Sequence, residues 1–231
     1  LMPRVSLSIV IPALNESGEI VHALTRLQLL RDQGVEVLLV DGGSEDDTVR
    51  LAKPLVDVVI DSERGRGVQM NRGASAASGD YLLFLHVDSH LPPTFSADDL
   101  LGAAWGFFPV RLSGRAWLFR VIERAMCWRS ALSGIATGDQ GLFVRRDLFD
   151  AIGGYPAIPL MEDVAICRLL KGQCRPSRQR HPVTTSSRRW ETRGILRTVL
   201  EMWRLRLAYF FGASPQYLAG SYYTNDIDRP R

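Results

Sequence analysis

The stretch "LLFLHVDSHLPP", Leu82–Pro93, decides how the rest of the chain is read. Four apolar residues run into His86, Val87, Asp88, Ser89 and His90, and Pro92 and Pro93 stop the pattern. An apolar run this short, ended abruptly by polar residues, reads as a buried strand delivering side chains to the edge of a sheet. Comparable runs lie upstream at Val5–Ile11, Val35–Val40 and Val56–Ile60, and Tyr81–Leu85 completes the series. Between them the sequence predicts helices. One runs from about Gly18 to Arg31, with Ile20, Leu24 and Leu27 on its apolar face and Asn15 or Ser17 as cap. A short one follows "DGGSEDDT" through Leu51, and a third opens from the Gly-rich turn in "GRGVQMNRGASAASGD". Strand and helix alternating at these spacings predict an α/β fold: a Rossmann-like, doubly wound, mostly parallel sheet with helices on both faces.

Beyond Pro92 the rhythm changes. Phe95–Ala104 is mixed, and Trp117–Ala131 has a helical period with Trp117, Val121, Ala125 and Trp128 on one side. Gly141–Val144 is a strand candidate, and "DLFDAIGGY" is a short helix stopped by Gly153 and Gly154. Glu162–Lys171 is a helix ended by Gly172, and Gly194–Phe211 is an amphipathic helix. A single domain over 1–231 is expected, with a nucleotide-type half over 1–90 and an elaborated half over 91–231. The length of 231 residues, 46% hydrophobic and 23% charged, suits a globular domain with a sizeable core.

The net charge of +3 is unevenly spread, because arginines crowd the last sixty or so positions, among them Arg188, Arg189, Arg197, Arg204 and Arg206. Such an end can face phosphates, an anionic membrane surface or only water. The three cysteines lack CxxC spacing, which argues against a disulfide framework or a cysteine zinc site and fits a reducing cytoplasm. "VSLSIVIPAL" is too short to span a bilayer and lacks a signal-peptide cleavage pattern. No later stretch reaches the roughly 18 apolar residues of a membrane span.

Ligands of open parallel sheets sit beyond the carboxyl ends of the strands. Asn15 and Glu16 follow the first strand, Asp41 ends the second and Asp88 follows the fourth, so all collect along one edge. Each alone would be a cap or turn residue, but together they point to a ligand. The Gly-rich segment is neither GxGxxG, since Met70 stands where the last glycine belongs, nor a P-loop. Its Arg64, Arg66 and Arg72 remain able to meet a diphosphate. Glu162 and Asp163 open a helix, where acids suit the macrodipole. A half-buried carboxylate there is also a candidate general base. In "TTSSRRWE", arginines beside a tryptophan offer a fork for phosphate and a flat face for a sugar or base, although a surface hairpin would look similar.

Taken in order, "IVIPALNE", "VDGGSEDDT", "NRGASAASGDYLLFLHVDS", "GDQGLFVRR", "PLMEDVAICRLL" and "SSRRW" resemble the family 2 glycosyltransferases of GT-A fold over nearly the whole chain. The resemblance is closest to a small bacterial branch whose central motif reads H-x-D in place of D-x-D. It implies a hexosyltransferase that moves a sugar from a nucleotide-diphosphate sugar to an acceptor hydroxyl, with inversion and with Mg²⁺ or Mn²⁺. Pro12, Asn15, Glu16, Asp41, Gly43, Ser44, Arg66, Asn71 and His86 then match donor-contacting positions, Asp41 as the acid that reads the base. Arg188, Arg189 and Trp190 match the end of a Q/R-x-x-R-W motif beside the diphosphate, although Ser186 stands where that motif begins. Asp88 matches the metal ligand and Asp163 the catalytic base, with Glu162, Asp139 and Gln140 on the acceptor side. His86 replaces the first Asp of D-x-D and would face the ribose or a metal-bound water, while His90 would be a loop residue.

Two other readings compete. One is a metal-dependent hydrolase using His86, Asp88 and His90, three polar residues at alternating positions. The other is a non-catalytic nucleotide-binding module. No nucleic-acid partner is expected. The C-terminal helix mixes Trp203, Tyr209, Phe210 and Phe211 with arginines, a composition that suits a membrane-surface helix or a core helix with snorkelling arginines. The first option implies a lipid-linked acceptor and a cytoplasmic protein peripheral at the inner face of the cell membrane.

Overall fold

The computed structural model describes residues 5–227, with only the backbone of Arg189 and of residues 223–227. The elements in chain order are Leu7–Ala13 (β1), Ile20–Thr25 (α1), Gln28–Asp32 (α2), Glu36–Asp41 (β2), Thr48–Ala52 (α3), Val58–Asp61 (β3), Arg66–Ala76 (α4) and Tyr81–Phe84 (β4). Then come Ser89–His90 (β5), Trp105–Phe107 (β6), Val110–Leu112 (β7), Trp117–Ser133 (α5), Leu142–Arg145 (β8), Arg146–Ala151 (α6) and Glu162–Gln173 (α7). Ser177–Arg178 (β9), Val183–Thr185 (β10), Arg188–Arg193 (α8), Ile195–Phe210 (α9) and Pro215–Ile227 (α10) complete the chain.

A seven-stranded sheet runs in the order β3-β2-β1-β4-β8-β6-β9. The four N-terminal strands are mutually parallel, whereas β8 is antiparallel to both β4 and β6. The two halves of the sequence therefore share one sheet. The period-two alternation of the apolar runs splits the core between the two faces. Ile9, Ile11, Val37, Leu39, Leu83 and Phe143 pack on one face with Ile20, Leu24 and Leu30 of α1 and α2. Val10, Leu38, Val40, Leu82, Phe84 and Val144 pack on the other with α4, α6 and α7. Gly73 lets α4 lie close to the sheet, because a Cβ there would come within 2.3 Å of Val10. A second sheet, β5-β10-β7, closes the end of β4, and a third apolar cluster joins the start of α7 to α9 and α10.

Several expectations are corrected. The helix predicted from Gly18 to Arg31 is two short helices. The Gln28 amide donates to the Leu24 and Leu55 carbonyls, taking the bond a continuous helix would give to its backbone. Neither Asn15 nor Ser17 caps α1, because Asn15 sits at φ 54° and accepts from the Glu45 N–H instead. Gly172 does not end α7, which continues to Gln173. The Arg-Trp segment is a helix that leaves β10, not a hairpin. His90 is a strand residue, paired with Thr184, not a loop residue. The stripe on α5 faces outward, with Trp117 73% and Trp128 70% exposed. All three cysteines are free thiols.

Candidate active site

The register Ala13↔Asp41 brings β1 and β2 to the same level at their carboxyl ends. Gln69 of α4, buried beneath them, donates from Nε2 to the carbonyls of Ala13 and Val40, at 2.9 Å each. The sequence reading missed this residue. Its signal was a polar side chain on the core face of a helix, which must find partners there.

Above Gln69 the two loops are stitched together. Asp41 is buried and accepts from the N–H of Gly43 (3.0 Å) and of Ser44 (2.9 Å) and from Ser44 Oγ (2.5 Å). A carboxylate offers about four lone pairs, so little of Asp41 is left for a base contact. Ser44 Oγ accepts from Asn15 N, Thr48 Oγ1 from Glu16 N and Asp46 from Ser17 N. The Thr48 hydroxyl and the Ser17 contact hold the Asp46 carboxyl well below the usual carboxylate range. Pro12 lies in β1 opposite Val40.

Glu16 projects half-buried from this platform. Burial raises its pKa and so does the nearby Asp88 carboxylate, while Arg188 and Arg66 oppose the rise. Glu16, Asp88, Arg66 and Arg188 therefore form one charged cluster, and Arg188 Nη1 also pairs with Glu19 Oε1 at 2.7 Å. The backbone carbonyl of Asp88 accepts from Ser186 N at 3.0 Å, which fixes the H-x-D segment against the strand leading into α8. Trp190 lies in α8; the side chain of Arg189 lies outside the described residues.

On the far side, Glu162 and Asp163 open α7 after Met161, a non-glycine residue at φ 70°. Asp163 Oδ2 accepts from Gly138 N at 3.1 Å and Oδ1 from Val164 N at 2.7 Å. Glu162 is buried, and its pKa is raised first by that burial and then by Asp163. His86 packs closely against Gly138, where a Cβ would come within 2.3 Å of the ring, and its Nδ1 lies 3.8 Å from Asp139 Oδ1. His86, Gly138, Tyr155, Glu162 and Asp163 line one cleft. Gly138 was quoted in the sequence motif but given no role; the need for a side chain to be missing there leaves no trace in one sequence.

Two expected contacts are corrected. Asn71 donates to the Tyr155 carbonyl and accepts from the Tyr155 N–H, both at 2.8 Å, so it clamps a loop and does not face a nucleotide. Gln140 is fully buried, accepting from Ser130 Oγ and donating to the Phe108 carbonyl, so it shapes the Gly138–Gln140 turn and does not meet an acceptor. The three-residue metal site is not formed either. His90 turns edge-on to His22, ring centroids 5.4 Å apart, and among the described residues no three His, Cys, Asp or Glu side chains converge to hold a metal.

A sheet of this order, with carboxylates at the strand ends and an acidic helix start facing them, belongs to the GT-A class. Mannosyltransferase PcManGT from Pyrobaculum calidifontis, solved with GDP-Man and Mn²⁺, superposes with a TM-score of 0.62 over 90% of this chain and 62% of that one, at 21% identity. Glucosyl-3-phosphoglycerate synthase from Mycobacterium tuberculosis gives 0.54 over 78% and 72%, at 23% identity. Within that class, residues 8–101 match the glycosyl transferase family 2 model. A PGL/p-HBAD biosynthesis glycosyltransferase of M. tuberculosis is 30% identical over 173 residues, 64% of this chain and 62% of the relative. The glycosyltransferase YibD of Escherichia coli is 26% identical over 148 residues, 59% of this chain and 42% of the relative. The chain thus spans less than two thirds of these relatives' length.

Proposed function

We propose that the protein is an inverting glycosyltransferase that moves a hexose from a nucleoside-diphosphate sugar to an acceptor hydroxyl. One observation carries the reading. Asp163, held by Gly138 N and set at a helix start, shares a cleft with His86, and Asp88 follows His86 by two residues at the mouth of β4. The donor sits over the loops after β1 and β2, with Glu16, Arg66 and Arg188 around its phosphates and sugar. Asp41, its carboxylate largely taken up by its own turn, shapes the base pocket more than it reads it.

The residues fit a divalent ion that arrives with its diphosphate. Such an ion needs one or two protein carboxylates, the phosphates supplying the rest. Asp88 is half-buried at the strand end, and its carboxylate is close enough to Glu16 to help raise the Glu16 pKa, so those two would hold Mg²⁺ or Mn²⁺. The ion, when bound, neutralises charge developing on the leaving diphosphate. Asp163 accepts the acceptor proton as the oxygen attacks the anomeric carbon from the face opposite the diphosphate. General-base assistance of this kind is worth on the order of 10²–10⁴-fold. Glu162 is buried with its pKa raised, and Asp163, held by Gly138 N, is the group given the base role.

The acceptor is lipid-linked in this reading, and the enzyme works at a membrane surface. The support is the exposed apolar side chains of two helices: Trp117, Trp128 and Leu132 of α5, and Leu200, Trp203 and Phe210 of α9 with exposed Arg197 and Arg204 on the same helix. No helix among the described residues is long and apolar enough to cross a membrane. A screen of nucleoside-diphosphate sugars with Mg²⁺, Mn²⁺ or EDTA, read as thermal stabilisation and then as transfer, tests the activity. Stabilisation by no donor would refute it. Flotation with vesicles containing anionic lipid tests the surface; a protein left at the bottom of the gradient at low salt would remove the membrane from the proposal.

A further inference from the structure

Arg129 of α5 is the most unusual charge in the molecule. Its Nε is buried without a hydrogen-bond partner, the sole such side-chain atom among the described residues. Its Nη2 donates to Ser130 Oγ at 3.1 Å. Neither Arg129 nor Arg206 of α9 forms an ion pair among the described residues. Burial, reinforced by Arg206, pushes the Arg129 pKa down to about 10, with Asp163 and Asp139 opposing. Arg206, Asp163 and Asp139 all act electrostatically on Arg129, and a guanidinium Nε shut off from water without a partner is costly to keep.

The cation is also wired to the proposed base. Ser130 Oγ donates onward to Gln140 Oε1 at 2.8 Å, Gln140 Oε1 accepts from Thr137 N at 3.1 Å, and Gly138 N of the same turn holds Asp163 Oδ2.

We infer that Arg129 and Arg206 form an oxyanion subsite beside Asp163 that seats a phosphate group of the acceptor. The inference rests on the glycosyltransferase reading and narrows it: the hydroxyl that is glycosylated belongs to a phosphate-bearing molecule. A guanidinium fork matches phosphate geometry, and its attraction is strengthened where water is scarce. The phosphate can come from a soluble monoester or from a lipid headgroup.

The test uses glycerol 3-phosphate in calorimetry as the soluble probe and phosphatidylcholine vesicles carrying phosphatidic acid in flotation as the lipid probe. The proteins are wild type, Arg129→Gln, Arg206→Gln and, as a surface control away from both proposed sites, Arg178→Gln. Wild type is expected to bind one of the two probes. The Arg129 and Arg206 variants should each weaken that binding about tenfold or more while keeping nucleotide-sugar affinity within about twofold. Arg206→Gln gives the same reading should Arg129→Gln not fold. Binding by the soluble probe identifies a water-soluble acceptor, and binding by the vesicles alone identifies a lipid one. Wild type binding neither probe, or the Arg129 and Arg206 variants binding as tightly as wild type, overturns the subsite. So does an equal fall in donor affinity, which would assign both arginines to the donor. A protein that binds the phosphate probe through Arg129 but no nucleotide sugar would instead refute the glycosyltransferase reading and leave the subsite standing.

Discussion

At the scale of single residues, the acidic pair opening α7 does two different jobs. Asp163 is held at the cleft by Gly138 N, so Asp163→Asn should leave donor binding nearly intact and lower turnover by about 10²-fold or more. Separate measurement of donor Kd and kcat checks this; near-normal kcat would remove Asp163 from the base role. Glu162 is buried with its pKa raised from 4.5, so the folded state favours the neutral acid. The stability it contributes is full below the unfolded value and is lost as pH rises from about 4.5 through the higher folded pKa. Glu162→Gln removes that loss. Its Tm should match wild type at low pH and exceed it at about pH 8; parallel Tm curves across that range would contradict the assignment. The placement of Glu162 and Asp163 at the start of α7 was legible because an acid pair opening a helix has a position in the sequence. Asn71 was misread because a polar residue in a Gly-rich helix looks the same whether it faces a ligand or clamps the backbone of Tyr155.

At the scale of elements, the Gly138–Gln140 turn is the hinge of the site. It carries His86 on one side and Asp163 on the other, and it admits no Cβ at Gly138. Gly138→Ala should push the His86 ring aside and cost about 1–3 kcal/mol of stability as overpacking does. Turnover should fall further than that loss of fold explains. Thermal denaturation together with kcat separates the two, and an active variant with an unmoved His86 resonance would show that the close packing is idle. Helices and strands with a strong apolar period were legible, since the period marks which residues share one apolar face. The break between α1 and α2 was not, because it comes from Gln28 reaching Leu55, twenty-seven positions away. Nor did the period tell that the stripe on α5 faces out, as it reports that a face is apolar and not what covers it.

At the scale of the molecule, the donor-side edge is assembled from loops far apart in sequence but level in the sheet. The proposed ion belongs to that scale, because Asp88 and Glu16 follow different strands and would need a diphosphate to complete the set. EDTA should abolish donor-induced thermal stabilisation, and Asp88→Ala should reproduce the loss with metal present. Donor binding that ignores both would take Asp88 out of the proposed site. The parallel half of the sheet was readable from its four apolar runs. The short strands β6, β7, β9 and β10 were not, because two or three residues hold no period and are made strands only by their partners.

The antiparallel placement of β8 has one more consequence. A parallel strand presents its exit to the donor-side edge, whereas β8, reversed beside β4 with Leu142 opposite Phe84, presents its entrance. The Gly138–Gln140 turn therefore reaches the cleft before its strand begins, while His86 and Asp88 reach it after theirs ends. A residue inserted on the cleft side of either strand would be felt by the other, because His86 and Gly138 meet in close contact where the two strands' ends converge. The loop after β4 and the turn before β8 are therefore free to change only together, as two halves of one clasp.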